Sequence, residues 1–265
     1  MDPLTDLLAA AKSGDRGALE ALVRAIQDRV YGLCVRMLGD PADAKDATQE
    51  VLVKVITQLG AFRGESAFTT WVHRVAANHL LTVRKRRAES MEMTFEKLGA
   101  MIDEGLEQAD PAAPPPDAVL AEEVRITCTE GMLLSLDREH RLAYVLGEIL
   151  ELTSEEAAAV LEISAEAFRK RLSRARATLQ KFMKSRCGVF DARNQCRCSL
   201  QVPYTRRTGM LDPNALRFAT HPARGQPHHL RELVGLLDVA AIYRSHPDYA
   251  APDDFVDAIK GWLKG

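Results

Sequence analysis

The chain has 265 residues, a length for one to two domains with real cores, and no apolar run near the ~18 residues of a membrane span. Met1 to Ala18 is mixed and charged, without the order of a secretory leader, so a cytoplasmic protein with no membrane contact is expected. The formal net charge of −2 argues against a nucleic-acid partner only until it is divided along the chain.

Periodicity predicts helices over Thr5–Lys12 and Ala18–Leu38, the second with Leu22, Ile26, Val30, Leu33 and Met37 on one face. Asp40-Pro41 reads as an N-cap followed by proline at the first helical position, opening a helix to about Leu59. Ala44, Ala47, Val51, Val55 and Leu59 face inward there. Asp43, Asp46 and Glu50, with Gln49 beside them, share the opposite face, which alone reads as solvated. Phe62–Ala67 is a loop containing Gly64, and Phe68–Arg87 a long helix ending in cations. Trp71 sits at core spacing with Phe68, Val72, Val75 and Ala76, although a base-stacking wedge is the alternative. His73 and His79 are expected at the surface.

Residues 89–116 are acidic and close on Asp110-Pro111-Ala112-Ala113-Pro114-Pro115-Pro116, which interior helix cannot accommodate. A basic island precedes this tether (Arg63, Arg74, Arg84, Lys85, Arg86, Arg87), and a second follows from Arg169 to Arg186. Two cationic patches joined by an acidic tether suggest two contacts with nucleic acid. Thr153 and Glu156 form a capping box, Ser164 caps a second helix, and Phe168, Leu172, Ala175 and Leu179 make its apolar face. Arg169, Lys170, Ser173, Arg174 and Arg176 crowd the other face. This is a helix-turn-helix whose second helix suits the major groove. No alternation of period two stands out, so the fold class is all-α. No nucleophile, base and orienter set occurs, so the chain is not expected to be an enzyme.

The segments Asp43–Val51, Phe62-Arg63-Gly64 and Thr70–Asn78 resemble region 2 of the extracytoplasmic-function (ECF) subfamily of bacterial RNA polymerase sigma factors. Phe168–Arg176 similarly resembles sigma region 4. The resemblance implies a region 2 domain over 1–88, a flexible acidic linker over 89–116, a region 4 domain over 117–184 and a regulatory extension over 185–265. It also implies that Asp43, Asp46, Gln49 and Glu50 dock on the clamp helices of the polymerase core. Arg63, Arg74, Asn78, Arg84, Arg86 and Arg87 would hold the −10 element as its strands part. Glu166, Arg169, Lys170, Ser173 and Arg174 would read the −35 element, and an anti-sigma factor is a further implied partner. Glu162 stands where the family turn often has glycine, and Phe168 where a smaller β-branched residue is common. The alternatives are a stand-alone helix-turn-helix regulator, which needs neither the acidic face nor the melting segment, and a metal- or thiol-responsive protein.

Beyond Ser185 the composition changes. Cys187, Cys196 and Cys198, with one of His221, His228 or His229, could hold zinc, and Cys-x-Cys also suits Cu(I). Buried structural cysteines or a redox pair are the other readings, and no cofactor is otherwise required. Cys34 and Cys128 read as core. Helices are expected over His229–Arg244 and Asp254–Leu263, their apolar stripes burying each other or docking on the sigma domains.

Overall fold

The computed structural model describes residues 3–82, 92–110, 112–220, 238–252 and 255. The regular secondary structure of those residues is helical, with one isolated backbone bridge between Cys187 and Cys196 and no strand among them.

The first domain is built from α1 (Pro3–Lys12), α2 (Arg16–Leu38), α3 (Pro41–Thr57) and α4 (Phe68–Thr82). Asp15 caps α2 by accepting the Ala18 N–H at 3.0 Å. Gly39 ends it at φ +68, and its N–H donates to the Val35 carbonyl at 2.7 Å. The same glycine lets Leu134 of a later helix approach, since a Cβ there would lie 2.5 Å from Leu134 Cδ1. All five α2 stripe residues named above are buried, as are Ala44, Ala47, Val51 and Val55 of α3. The α3 helix stops at Thr57 and tightens into a 3₁₀ turn that carries Leu59.

The linker is not a bare spacer. Thr94 caps α5 (Phe95–Glu107), which buries Leu98 and Ile102 and sets Phe95 5.2 Å from Phe182. Helix α6 (Ala118–Leu134) follows. Then α7 (Arg138–Tyr144) runs into a single π-helical turn over Val145–Ile149. Helices α8 (Ser154–Leu161) and α9 (Ala165–Arg186) make the predicted helix-turn-helix, including the complete Thr153/Glu156 capping box. The extension contributes α10 (Cys198–Arg207) and α11 (Val239–Arg244). Most of the predicted His229–Arg244 helix, and Asp254–Leu263 apart from Phe255, lie outside the described residues.

One contiguous apolar core runs through the first domain and the helix-turn-helix module. Helix α4 packs on α8, and α2 on α6 and α7. Arg141, only 4% exposed, staples this joint. Its guanidinium donates to the carbonyls of Leu133, Leu134 and Leu136 at the end of α6, and to that of Met37 at the end of α2. These are carbonyls that helix ends leave unpaired, and a cation suits their negative dipole ends.

Candidate polymerase and nucleic-acid interface

Asp46 and Glu50 are exposed on α3, with Asp43 and Gln49 half-buried beside them. Asp40 fixes the start of that helix by accepting the N–H groups of Ala42 and Asp43. The far end of the face is tied to α4: Lys54 Nζ lies 2.8 Å from His79 Nδ1, and His79 Nε2 lies 3.3 Å from Glu50. A lysine ammonium only donates, so Nδ1 must accept and the ring proton sits on Nε2, toward Glu50.

His79 and His73 are therefore buried, at 4% and 7% exposure, and not at the surface as expected from the sequence. They fall one heptad from Val72 and Leu80, so each shares the apolar stripe of α4. Burial, reinforced by the nearby Arg29 cation, lowers the His73 pKa to about 4. Trp71 is packed with Phe62 and Phe68 at ring separations of 5.5 and 5.8 Å, which favours the core reading.

Arg63 is exposed in the loop whose turn Gly64 makes at φ +77. Arg74 and Asn78 share a face of α4 and bracket a cavity with Lys54, Gln58 and Trp71. Glu162 closes it: its carboxylate accepts from Asn78 Nδ2 at 3.4 Å and lies 3.9 Å from Arg74. Arg84, Arg86 and Arg87 lie outside the described residues.

Glu162 ends α8 in the left-handed region, at φ +54, which explains why glycine suits that turn. Phe168 is fully packed because Gly147, on the π-helical turn, leaves room for it; a Cβ there would lie 3.1 Å from its ring. Glu166, Arg169, Lys170, Ser173 and Arg174 are all exposed on α9. Lys170 pairs with Glu166 at 2.6 Å, and Arg169 reaches Glu155 at 3.9 Å. Arg171 and Arg176 instead turn back to Glu139 and Glu148, holding α9 against α7 and the π-helical turn.

Sequence reasoning missed the residues that join the extension to both domains. The buried Glu123 carboxylate of α6 accepts the backbone N–H groups of Arg217, Phe218 and Ala219 at 2.7–2.9 Å. Arg125 donates to Ser245 Oγ at 3.1 Å, while the Tyr243 hydroxyl donates to the Thr129 carbonyl at 3.0 Å. On the first domain, Arg217 lies 3.5 Å from Asp40, the Ala251 N–H donates to Asp28 at 3.0 Å, and Phe255 packs edge-on against Tyr31. Nothing local marks Glu123 as a receiver of distant amides, since it lies beyond a first turn of α6 that carries no acidic residue.

The expected metal site at the cysteines finds no support among the described residues. Cys187 and Cys196 pair across the backbone bridge, and Cys198 opens α10, yet all five cysteines are free thiols. Among the described residues no group of three or more His, Cys, Asp or Glu side chains is placed to hold a metal ion. Burial, then neighbouring thiols, pushes Cys196 up to about 11 and Cys198 up to about 12. His221, His228 and His229 lie outside the described residues. Cys34 is wholly buried, as read from the sequence.

Residues 22–89 match the family model for Sigma-70 region 2, and residues 127–179 that for Sigma-70 region 4. The RNA polymerase sigma-H factor of Pseudomonas aeruginosa is 33% identical over 181 residues, covering 67% of this chain and 92% of that protein. The ECF RNA polymerase sigma-E factor of Escherichia coli is 32% identical over 186 residues, covering 66% and 92%. The solved structure of CnrH in complex with the cytosolic domain of CnrY aligns with 68% of this chain and 96% of that one, at 26% identity and a TM-score of 0.48. The two matched regions, in this order and with relatives aligned over nearly their full length, place the chain in the extracytoplasmic-function subfamily of bacterial RNA polymerase sigma factors.

Proposed function

We propose that this sigma factor docks on core RNA polymerase through Asp43, Asp46, Gln49 and Glu50, and grips promoter DNA at two points. Arg63, Arg74 and Asn78, continued by Arg84, Arg86 and Arg87, take the −10 element; Glu166, Arg169, Lys170, Ser173 and Arg174 take the −35 element. Charge complementarity on the acidic face favours correct docking and fast encounter. Cations on phosphate supply affinity, and the α9 side chains supply sequence reading. The chain is a dissociable specificity subunit, acting in the cytoplasm, and leaves catalysis to the polymerase.

The extension acts as a built-in strap, doing within one chain what an anti-sigma factor does for the sigma factors that have one. The observation that carries this is its contact with both domains at once, through Glu123 on α6 and through Asp28 and Asp40 on the first domain. Under the strap, Arg74 and Asn78 face Glu162 and not DNA. Run-off transcription with core polymerase tests the reading. Promoter-dependent transcript should need this chain, and Asp46→Lys with Glu50→Lys should abolish it. Transcript independent of the chain, or binding of a duplex operator without polymerase, would favour the stand-alone regulator.

A further inference from the structure

The helix-turn-helix follows directly on the π-helical turn, Val145–Ile149, whose far end departs from regular hydrogen bonding. Leu150 N–H donates to the Val145 carbonyl at 2.9 Å, five residues back, and Leu152 N–H to the Leu146 carbonyl at 3.0 Å, six back. Between them Glu151 sits at φ +53, in the left-handed region that a residue with a Cβ rarely adopts. A regular α-helix would have given Leu152 N–H to the carbonyl of Glu148. Arg244 of α11 takes that place. Its guanidinium donates to the Glu148 carbonyl at 2.7 Å and lies 3.6 Å from the Glu151 carboxylate. Asp238, which caps α11 by accepting the Ala240 N–H at 2.9 Å, also holds the guanidinium at 3.0 Å. The extension thus supplies the cationic cap for an irregular helix end in the region 4 domain.

What rests on that turn is the recognition helix. Phe168, Leu172 and Arg176 recur every four residues and line one face of α9. Gly147 admits the first two, since a Cβ there would lie 2.8 Å from Leu172 Cδ2 and 3.1 Å from the Phe168 ring. Arg176 pairs with the Glu148 carboxylate. Helix α11 completes the seat. It packs on α9 and on the π-helical turn, and its Tyr243 ring meets Tyr144, at the end of α7, edge-on at 5.5 Å. Arg169, Lys170, Ser173 and Arg174 are left exposed on α9.

We propose that Arg244 is a positioning residue for −35 recognition. By capping the π-helical turn it fixes the rotation and depth at which α9 presents those four side chains to the major groove. This role rests on α9 reading the −35 element, as proposed above. Reading a base edge needs donor and acceptor within hydrogen-bond distance, whereas a phosphate attracts a cation over a broader range. A loosened seat therefore costs α9 its sequence discrimination before its general affinity. The cap lies wholly between the extension and the region 4 domain, so it persists when the strap parts from Asp28, Asp40 and Tyr31. Arg244 governs which −35 sequences are chosen; the strap governs how much transcript is made.

The test is run-off transcription with core polymerase from templates randomised across both promoter elements and barcoded in the transcribed region. The wild type should recover a preference in both blocks. Arg244→Ala should narrow the best-to-worst ratio of the −35 block by about tenfold and leave the −10 block as sharp as before. Arg244→Lys, which keeps a donor for the Glu148 carbonyl, should restore most of the ratio. Arg217→Ala, which cuts the ion pair to Asp40 and spares the π-helical turn, should leave both blocks sharp. A −35 block as sharp as that of the wild type overturns the proposal, and so does equal flattening of both blocks. Amide exchange on the full chain without DNA separates the cap from the promoter reading. Leu150 and Leu152 should exchange faster in Arg244→Ala while α2 keeps its protection, and unchanged exchange there overturns the cap. Faster exchange beside a wild type with no preference in either block overturns the promoter reading of α9, and the proposal with it.

Discussion

Glu130 and His246 meet inside the joint between α6 and the extension, with His246 Nδ1 3.5 Å from Glu130 Oε1 and both side chains shut off from solvent. Burial raises Glu130 from 4.5 to about 7, against the pull of the Arg36 and Arg141 cations. Burial, with Arg125 and Arg36 adding to it, holds His246 well below 6.5. The raised carboxyl gives stability that is full below 4.5 and lost as pH rises through about 7. The depressed imidazole gives stability present above 6.5 and lost as pH falls below it. Between these limits the two slopes oppose each other, so the melting temperature of the wild type should be nearly flat from about pH 5 to 6.5. Glu130→Gln removes one slope, and its melting temperature should fall as pH drops through that interval. A flat profile in the variant would sink the assignment.

Glu162 offers a second test at this scale. Its left-handed backbone costs a side-chain-bearing residue about 1 kcal/mol, and its exposed contacts with Arg74 and Asn78 return little in water. Glu162→Gly should therefore raise the urea midpoint while freeing the α4 face for DNA. A lower midpoint would show that the contacts outweigh the strain.

Among the elements, those of the first domain were legible because long amphipathic stripes and the Asp40-Pro41 start are local signals. So was the helix-turn-helix, with its capping box and the Ser164 cap. Helix α5 was hidden by its own charge. Glu96, Asp103, Glu104 and Glu107 drew it into an acidic tether, although Leu98, Ile102 and Leu106 already stood at helical spacing. His73 and His79 were misplaced for the opposite reason, their polarity masking stripe positions that burial had claimed. The exposed faces that carry the candidate site residues could be read from local spacing, whereas the contacts of Arg141 and Glu123 could not. Their partners are carbonyls and amides far along the chain, which carry no sequence signature.

Gly105 makes the linker helix testable. It faces Gln201 of α10, whose Nε2 donates to the Ile102 carbonyl at 2.9 Å, and a Cβ there would overlap the Gln201 amide. In an open helix, Gly→Ala gains ~1 kcal/mol; here Gly105→Ala should lose ~1–3 kcal/mol by urea unfolding, through overpacking at α10. A stabilised variant would mean that α5 and α10 are not docked in solution.

At the scale of the whole molecule, the shared core and the strap describe a closed chain. Under the function proposed above, two-point promoter contact requires that closure to open. Glu123 is the natural point to release it, because Glu123→Ala strands three backbone amides that have no other partner of comparable strength. The variant should have a larger radius of gyration by small-angle scattering and a higher run-off yield with core polymerase. Unchanged values of both would argue that the extension is a passive ornament.

The order of the modules along the chain carries a genetic consequence. Cys187 and everything after it are translated later than both DNA-binding domains, at ~5–20 residues per second, so each nascent chain passes through a strapless interval of seconds. A nonsense codon just past Arg186 makes that interval permanent. Such an allele should behave as a dominant gain of function, where premature stops ordinarily abolish a protein's activity.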